Sequence, residues 1–155
     1  MNTPEKERDR RLATLTRLRE LQLEEARVAH ALKQAEVDRQ RERVREIQSH
    51  IEQSQARGRQ LVESGVAVAM LIHLQEYEAW QANALTEEQA SLAKLQELEE
   101  EARAQVARRF EALSCIGRVR ERHAREAALS RGRREYKSLD EQAPIRWAAT
   151  NRPDL

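Results

Sequence analysis

The residues that could carry chemistry are few: four histidines and one cysteine. His30, His50, His73 and His123 lie far apart in the chain, and none of them has the short spacing from Cys115 that a metal motif requires. The four glycines are scattered and form no phosphate-binding loop. We therefore expect no catalytic site, metal or cofactor, and we interpret the histidines as helix-surface or interface residues. The sequence predicts a protein that is not an enzyme.

The single cysteine also indicates where the chain works. Cys115 can form no internal disulfide, which favours a reducing compartment and an inert thiol. The first seven residues are polar and do not resemble a signal peptide, and the longest apolar run, from Val66 to Ile72, is far shorter than the ~20 residues of a membrane span. We expect a soluble, cytoplasmic protein.

Three residues in the second half of the chain could bind a partner. Tyr77, Trp80 and Ala84 are spaced three and four apart, so they share one face of a helix. An exposed tryptophan in such a stripe is typical of a protein-binding surface. Alternatively, Met70 and His73 extend the same stripe, and it could be the buried contact of two helices just after a turn. The sequence leaves both interpretations open.

Positive charge is concentrated further along the chain. The segment from Arg103 to Lys137 holds eleven Lys and Arg against four Glu. Basic helices attract phosphate, but these arginines are dispersed around the helix, and no aromatic platform or DNA-binding motif accompanies them. We therefore expect no nucleic acid, and an acidic protein surface as the partner of this segment.

The composition predicts the elements that position these residues. Charged residues make up 35% of the chain and aromatic residues 3%, while Leu, Ala, Glu, Gln and Arg dominate. This is the usage of long helices or a coiled coil rather than of a domain with a deep core. Because these residues form helices well and the net charge is only +1, disorder is disfavoured.

One short stretch interrupts the helical pattern. Ser64-Gly65 precedes the β-branched residues Val66 and Val68, and this combination predicts the end of one helix and the start of another. Thr3 and Pro4 mark the start of the first helix, and Pro144 marks the end of the second. We predict an all-α, single-domain antiparallel coiled-coil hairpin over 1–155. Helix 1 covers about 4–62, the turn about 63–69, helix 2 about 70–142, and a loose tail 143–155.

Heptad spacing predicts the residues that join the two helices. In helix 1 two series differ in phase by about two residues, which changes the local winding of a coiled coil without ending it. The first series is Leu12, Leu15, Leu18, Leu21, Val28, Leu32 and Ala35, and the second is Val37, Val44, Ile47, Ile51, Gly58 and Leu61. Helix 2 keeps one phase: Leu71, Leu74, Leu85, Leu92, Leu95, Ala102, Val106, Leu113, Ile116 and Ala127. Polar residues interrupt this stripe at Glu78, Gln81, Glu88, Glu99, Arg109, Arg120 and His123.

A fold-back at Ala67 pairs residues whose numbers add up to about 134. In this register the arginines at 39, 41, 43 and 45 face the glutamates at 87, 88, 97 and 99–101. It also gathers basic residues from both ends of the chain into a cluster that we call the basic collar. Its members are Lys6, Arg8, Arg10, Arg11, Arg118, Arg120, Arg122 and Arg125.

Two stretches resemble a known family. Residues 133–143 read RREYKSLDEQA, and residues 74–80 read LQEYEAW. The first is similar to the C-terminal signature of the FliJ/YscO family, the central stalk proteins of flagellar and virulence type III secretion. The second is similar to that family's L-Q-x-Y-x-x-F stretch. Flagellar members carry aromatic residues where this chain has Gln53 and Arg57, and this difference favours a virulence-type member.

The resemblance implies a helical hairpin similar to the rotor shaft of rotary ATPases. The paired terminal ends would enter the pore of the hexameric secretion ATPase, and the body would reach the cytoplasmic ring of the export gate at the inner membrane. Escort chaperones are possible further partners. The ATPase-binding residues implied are Arg8, Arg10, Arg11, Arg118, Arg120, Arg122, Arg125, Glu135, Lys137, Asp140 and Glu141. The gate-binding residues implied are Tyr77, Trp80 and Ala84.

The sequence and the resemblance together predict a non-enzymatic stalk that couples the secretion ATPase to the export gate. Two alternatives stay open at this point. One is an export chaperone that holds substrates or other chaperones. The other is a structural coiled coil that associates with copies of itself.

Overall fold

The fold consists of two long helices. The computed structural model describes residues 4–65 and 67–150, and places α1 at Pro4–Glu63 and α2 at Val68–Thr150. No strand occurs in these two ranges, so the prediction of an all-α helical hairpin is confirmed. Proline is favoured at the first helical position because its missing N–H would have no partner there. Thr3 and the last five residues of the predicted tail lie outside the described residues.

The turn follows from the conformation of one glycine. Gly65 has a φ of 73°, a backbone conformation that glycine adopts without strain. Its N–H donates to the carbonyl of Val62 at 3.2 Å, which is one of the two hydrogen bonds of a Schellman motif. The Ser64 N–H donates to the Gln60 carbonyl at 3.0 Å. These bonds satisfy carbonyls at the end of α1 and stop the helix at Glu63.

The contacts within the chain define two compact units. The terminal unit comprises Met1–Glu20 and Glu111–Leu155, and the central unit comprises Leu21–Phe110. Each unit contains part of both helices, which run antiparallel: Arg8 contacts His123 in the terminal unit, and His30 contacts Glu99 in the central unit. The prediction of a single domain over 1–155 stays a prediction.

The predicted stripe of α2 is confirmed. All its apolar positions are buried or half-buried, and so are all but one of the polar residues that interrupt it. Gln81 is among the least exposed residues of the central unit at 4%. Arg120 is the exception, because it is exposed. The single heptad phase of α2 was therefore sufficient to identify its buried face.

The predicted stripe of α1 is wrong in its first half. Leu15, Leu18, Leu21, Val28 and Leu32 are 38–61% exposed, and Ala35 is exposed as well. The buried or half-buried face instead keeps one uninterrupted spacing of four and three residues, with no phase shift. It consists of Leu12, Thr16, Arg19, Leu23, Ala26, His30, Lys33, Val37, Gln40, Val44, Ile47, Ile51, Ser54, Gly58 and Leu61.

The polar residues of α2 explain this choice of face. Gln22 accepts a hydrogen bond from Arg109 at 3.3 Å, and His30 and Glu99 meet at 2.6 Å. A part-buried charged side chain without a hydrogen-bond partner is costly, and a leucine side chain could not act as that partner. The face with fewer leucines therefore packs against α2.

The register also differs from the prediction. Contacting residues have numbers that add up to 128–132 instead of about 134. The shortest ion pairs of Arg41 and Arg45 are within α1, with Asp38 at 3.2 Å and Glu42 at 3.3 Å. Such exposed pairs three residues apart contribute only ~0.3–0.5 kcal/mol. Apolar packing and the hydrogen bonds between part-buried polar residues of the two helices, rather than exposed opposite charges, set the register.

Pro144 does not end α2, contrary to the prediction. The helix continues through Pro144 to Thr150, so the predicted boundary at about 142 is too early. A proline removes one backbone hydrogen bond and strains the preceding turn, but helical residues on both sides can tolerate it. Here Gln142, Ala143 and Arg146 are good helix formers.

Candidate partner-binding surfaces

An exposed aromatic pair lies near the start of α2. Trp80 is 65% exposed and Tyr77 49% exposed, and their rings stack with centroids 6.0 Å apart and planes inclined by 24°. The Tyr77 hydroxyl accepts a hydrogen bond from the buried Gln81 side chain at 3.1 Å, which fixes the ring. Met70 and His73 are exposed, so the alternative in which this stripe is a buried helix contact is wrong. Tyr77, Trp80 and the half-buried Ala84 form an ordered surface.

Part of the basic collar gathers in the terminal unit. Arg8 donates a hydrogen bond to His123 Nδ1 at 3.1 Å. Arg10 of α1 and Arg120 of α2 line one shallow groove. The neighbouring groove is lined by Lys6, Arg8, Arg131 and Arg134 together with Asp9 and Glu126. The last two arginines were not in the predicted collar, although both lie in the basic segment that ends at Lys137.

Other members of the collar have local partners. Arg11 forms an ion pair with Glu7, and Arg125 lies 3.6 Å from Glu121, each within one helix. Arg118 lies 3.5 Å from Cys115 Sγ. Because all three arginines are exposed, these contacts are weak and a protein partner could replace them. The collar is therefore an accessible cationic surface.

The C-terminal signature lies on an exposed part of α2. Every residue from 133 to 147 is exposed, because in the register of the terminal unit α1 begins opposite residues near 127. Lys137 and Glu141 approach to 3.9 Å, and Asp140 and Glu135 have no ion pair among the described residues. Tyr136 and Trp147 are 74% and 69% exposed. This extension presents charged and aromatic side chains together.

In the central unit, polar side chains of the two helices meet at buried or half-buried positions and form what we call the polar layers. Gln40 donates to both the backbone carbonyl and the carboxylate of Glu88. Glu99 accepts from His30 at 2.6 Å and lies 3.3 Å from Arg103. The hydrogen bond from His30 lowers the pKa of Glu99 below its usual value of 4.5, and the nearby Arg103 adds to the shift. These layers fix the register of the hairpin.

The remaining histidines and the cysteine lie apart from one another. His73 contacts Glu76 at 3.5 Å and His123 contacts Glu126 at 3.4 Å, while His50 and Cys115 are exposed. No group of three His, Cys, Asp or Glu side chains within the described ranges is arranged to hold a metal ion.

Comparison with known families agrees with this geometry. The family model described as the flagellar FliJ protein matches residues 8–152, which is almost the whole chain. The chain belongs to the FliJ family. FliJ proteins are structural components of type III and flagellar export rather than enzymes. No curated protein and no solved structure matches the chain.

The FliJ match covers both long helices and the C-terminal signature. It extends over the collar except Lys6, over the aromatic pair and over the exposed end of α2, but it does not separate a flagellar from a virulence-type member. Within the residues that the structure describes, neither helix contains a stretch with the length and apolarity needed to span a bilayer.

One surface feature of the central unit does not follow from the predicted stripes. Leu21, Val28, Leu32 and Leu98 are 46–61% exposed, although the α1 leucines had been assigned to the buried stripe. The feature of the sequence that could have revealed this exposed face is the phase difference between the two apolar series of α1. The predicted change of winding is wrong, because the phase difference marks two faces of one regular helix.

Proposed function

We propose that this protein is the central stalk of a type III secretion system and couples the hexameric secretion ATPase to the export gate. The match to the FliJ family over residues 8–152 is the observation that carries the proposal. In this proposal the basic collar and the C-terminal signature bind the ATPase, and Tyr77, Trp80 and Ala84 bind the gate. The stalk works in the cytoplasm, at the inner-membrane export apparatus.

The distribution of charge supports separate binding surfaces. The terminal unit holds sixteen Lys and Arg against eleven Asp and Glu, whereas the central unit holds twelve against sixteen. A net positive surface is drawn to an acidic partner, and the attraction speeds association. The charge balance therefore favours the terminal unit as the part that meets an acidic ATPase surface.

The two-helix architecture suggests how coupling would work. A hairpin has no rotational symmetry, so inside a ring of identical subunits it contacts some subunits differently from others. A ligand shifts an equilibrium only through different affinities for the states involved. Unequal contacts would therefore favour ATP hydrolysis in particular subunits at a given moment.

The ATPase part is tested by reversing charges in the collar. Replacing Arg118, Arg120, Arg122 and Arg125 with glutamate should abolish stimulation of the ATPase and weaken binding, while helicity measured by circular dichroism is retained. The matched control reverses four exposed arginines of the central unit, at positions 43, 45, 57 and 59. Equal loss of stimulation in both variants would show that only total charge matters, and no loss in either would refute the role of the collar.

The gate part is tested separately with the aromatic pair. Trp80→Ala should weaken binding to the isolated cytoplasmic ring of the gate about tenfold or more, as expected for a central aromatic anchor. The melting temperature should change little, because Trp80 is 65% exposed. A large drop in melting temperature with unchanged gate affinity would mean that Trp80 has a structural role instead.

We also propose that the system served is of the virulence type. Gln53 and Arg57 are exposed polar residues, and the resemblance implies aromatic residues at these positions in flagellar members. Deleting the gene should stop effector secretion and leave swimming motility intact. Loss of motility with normal effector secretion would assign the protein to the flagellum.

A further inference from the structure

Helix α1 has a second apolar stripe in addition to the one that packs against α2. Within the central unit this second stripe runs through Leu21, Glu25, Val28, Leu32 and Ala35, spaced four, three, four and three residues apart. Glu25 is its one polar member. The leucines and the valine are 53–61% exposed. This is the spacing with which one helix packs against another in a coiled coil. The stripe is an unoccupied helix-packing surface.

A groove between α1 and α2 extends this stripe onto the second helix. Its apolar lining comes from both helices and consists of Ala26, Ala29, Leu32, Leu98 and Ala102. Small residues let another backbone approach closely, and Leu32 and Leu98 at 61% and 46% exposure offer side chains for packing. The groove therefore has room for the apolar face of a third helix.

Two carboxylates on the lining of this groove lack counter-charges. Glu25 of α1 and Glu101 of α2 line it, and neither forms an ion pair with any residue in the described ranges. Of the other charged residues of the lining, Lys33 lies 2.9 Å from Glu36, whereas Arg109 donates to the neutral side chain of Gln22 at 3.3 Å and keeps its positive charge. The lining holds Glu25, Glu36 and Glu101 against Lys33 and Arg109, so its net charge is −1, and the two carboxylates without an ion pair come from different helices.

We propose that this groove binds a third helix from another protein, an amphipathic helix with Lys or Arg on both edges of its apolar face. The apolar face would pack on Leu32 and Leu98, and the basic edges would pair with Glu25 on one side and Glu101 on the other. Helices recognise such grooves by apolar anchors three and four residues apart, and flanking charges select the partner. This inference concerns the central unit alone and does not depend on the proposed stalk function.

A second copy of this chain is a poor occupant of the groove. In a two-fold symmetric dimer the groove meets the same groove of the other copy, so two linings with the same excess of carboxylates would be brought together. Like charges at such an interface oppose association. The charge of the lining therefore selects a basic helix of a different protein.

The test uses the full chain and a designed probe. The probe is a fluorescently labelled helical peptide of about three heptads, with leucine and alanine on one face and lysine on both edges. A matched peptide carries glutamate in place of each lysine. Fluorescence anisotropy should show binding of the lysine peptide and at least about tenfold weaker binding of the glutamate peptide.

Two variants of the protein locate the binding. Replacing Leu32 and Leu98 with serine should weaken binding of the lysine peptide about tenfold or more. Replacing Glu25 and Glu101 with lysine should reverse the preference, so that the glutamate peptide binds better. The control replaces Glu52 and Glu100 with lysine; it changes the total charge equally, at exposed residues outside the groove. This control should keep the original preference.

Several results would overturn the proposal. One is equal binding of the lysine peptide to the wild type and to both groove variants, with helicity unchanged. Another is a control variant that loses as much binding as the Glu25 and Glu101 variant, since the attraction would then be nonspecific. Concentration-dependent dimerisation of the chain in sedimentation experiments, abolished by Leu32→Ser, would assign the groove to a second copy.

Discussion

Replacing Leu23 with alanine should destabilise the fold much more than the same replacement at Leu32. Both leucines lie on α1 in the central unit, but Leu23 is 5% exposed and Leu32 is 61% exposed. The change removes three carbon atoms, worth roughly 0.8 kcal/mol each when fully buried. Scaled by burial, the expected losses are about 2.3 kcal/mol at Leu23 and about 0.9 kcal/mol at Leu32. Incomplete closure of the cavity adds to the loss at Leu23.

Urea unfolding followed by far-UV circular dichroism measures this difference. Both variants should keep the slope of the transition, so that a shift of the midpoint reports stability alone. Equal losses at the two positions, or a larger loss at Leu32, would refute the assignment of the buried face of α1. A larger loss at Leu32 would instead support the leucine-rich face predicted from the sequence.

Four further substitutions test local features of the structure. Gly58→Ala should gain less stability than Gly132→Ala, because its added Cβ would lie 2.7 Å from Leu74 Cδ2 and this methyl group would have to shift. Gly132→Ala, whose added Cβ meets nothing within 4 Å, should stabilise by about 0.5–1 kcal/mol. An equal gain at both positions in thermal melts would contradict this. Gly65→Ala should cost about 1 kcal/mol, because the φ of 73° strains any residue with a Cβ, and an unchanged melting temperature would count against the turn conformation. The lowered pKa of Glu99 contributes stability that is present above pH 4.5 and lost as the pH falls below it. Glu99→Gln should therefore flatten the loss of stability with acid, and an identical pH profile in variant and wild type would exclude this contribution.

The sequence was sufficient for the helices, the turn and the buried face of α2. Strong helix formers leave little choice of secondary structure, and Ser64-Gly65 supplies the local signal for the turn between the helices. The seven-residue repeat of α2 has one phase, so only one face could be buried. Pro144 shows the limit of such local rules, because a single missing hydrogen bond did not outweigh the helix formers around it.

The candidate surfaces could be predicted only in part. The positions of Tyr77 and Trp80 on one helical face follow from their spacing, but two interpretations were open because a stripe of this kind suits both a surface and a helix contact. The basic residues of the collar were evident from the sequence. The grouping of Arg131 and Arg134 with Lys6 and Arg8 depended on the register, which the sequence placed a few residues away from its actual value.

The amino-acid sequence by itself determined that this chain forms two helices joined at Gly65, because propensity and turn chemistry are local properties. Only the tertiary structure decided which of the two stripes of α1 packs against α2. Both have heptad spacing, and the one richer in leucine is the exposed one. Pairing with the polar residues of α2 made the difference: Glu88 and Glu99 have Gln40 and His30 as hydrogen-bond partners on the face that is buried. That requirement involves residues distant in the chain, so it becomes visible only when the two helices are placed side by side.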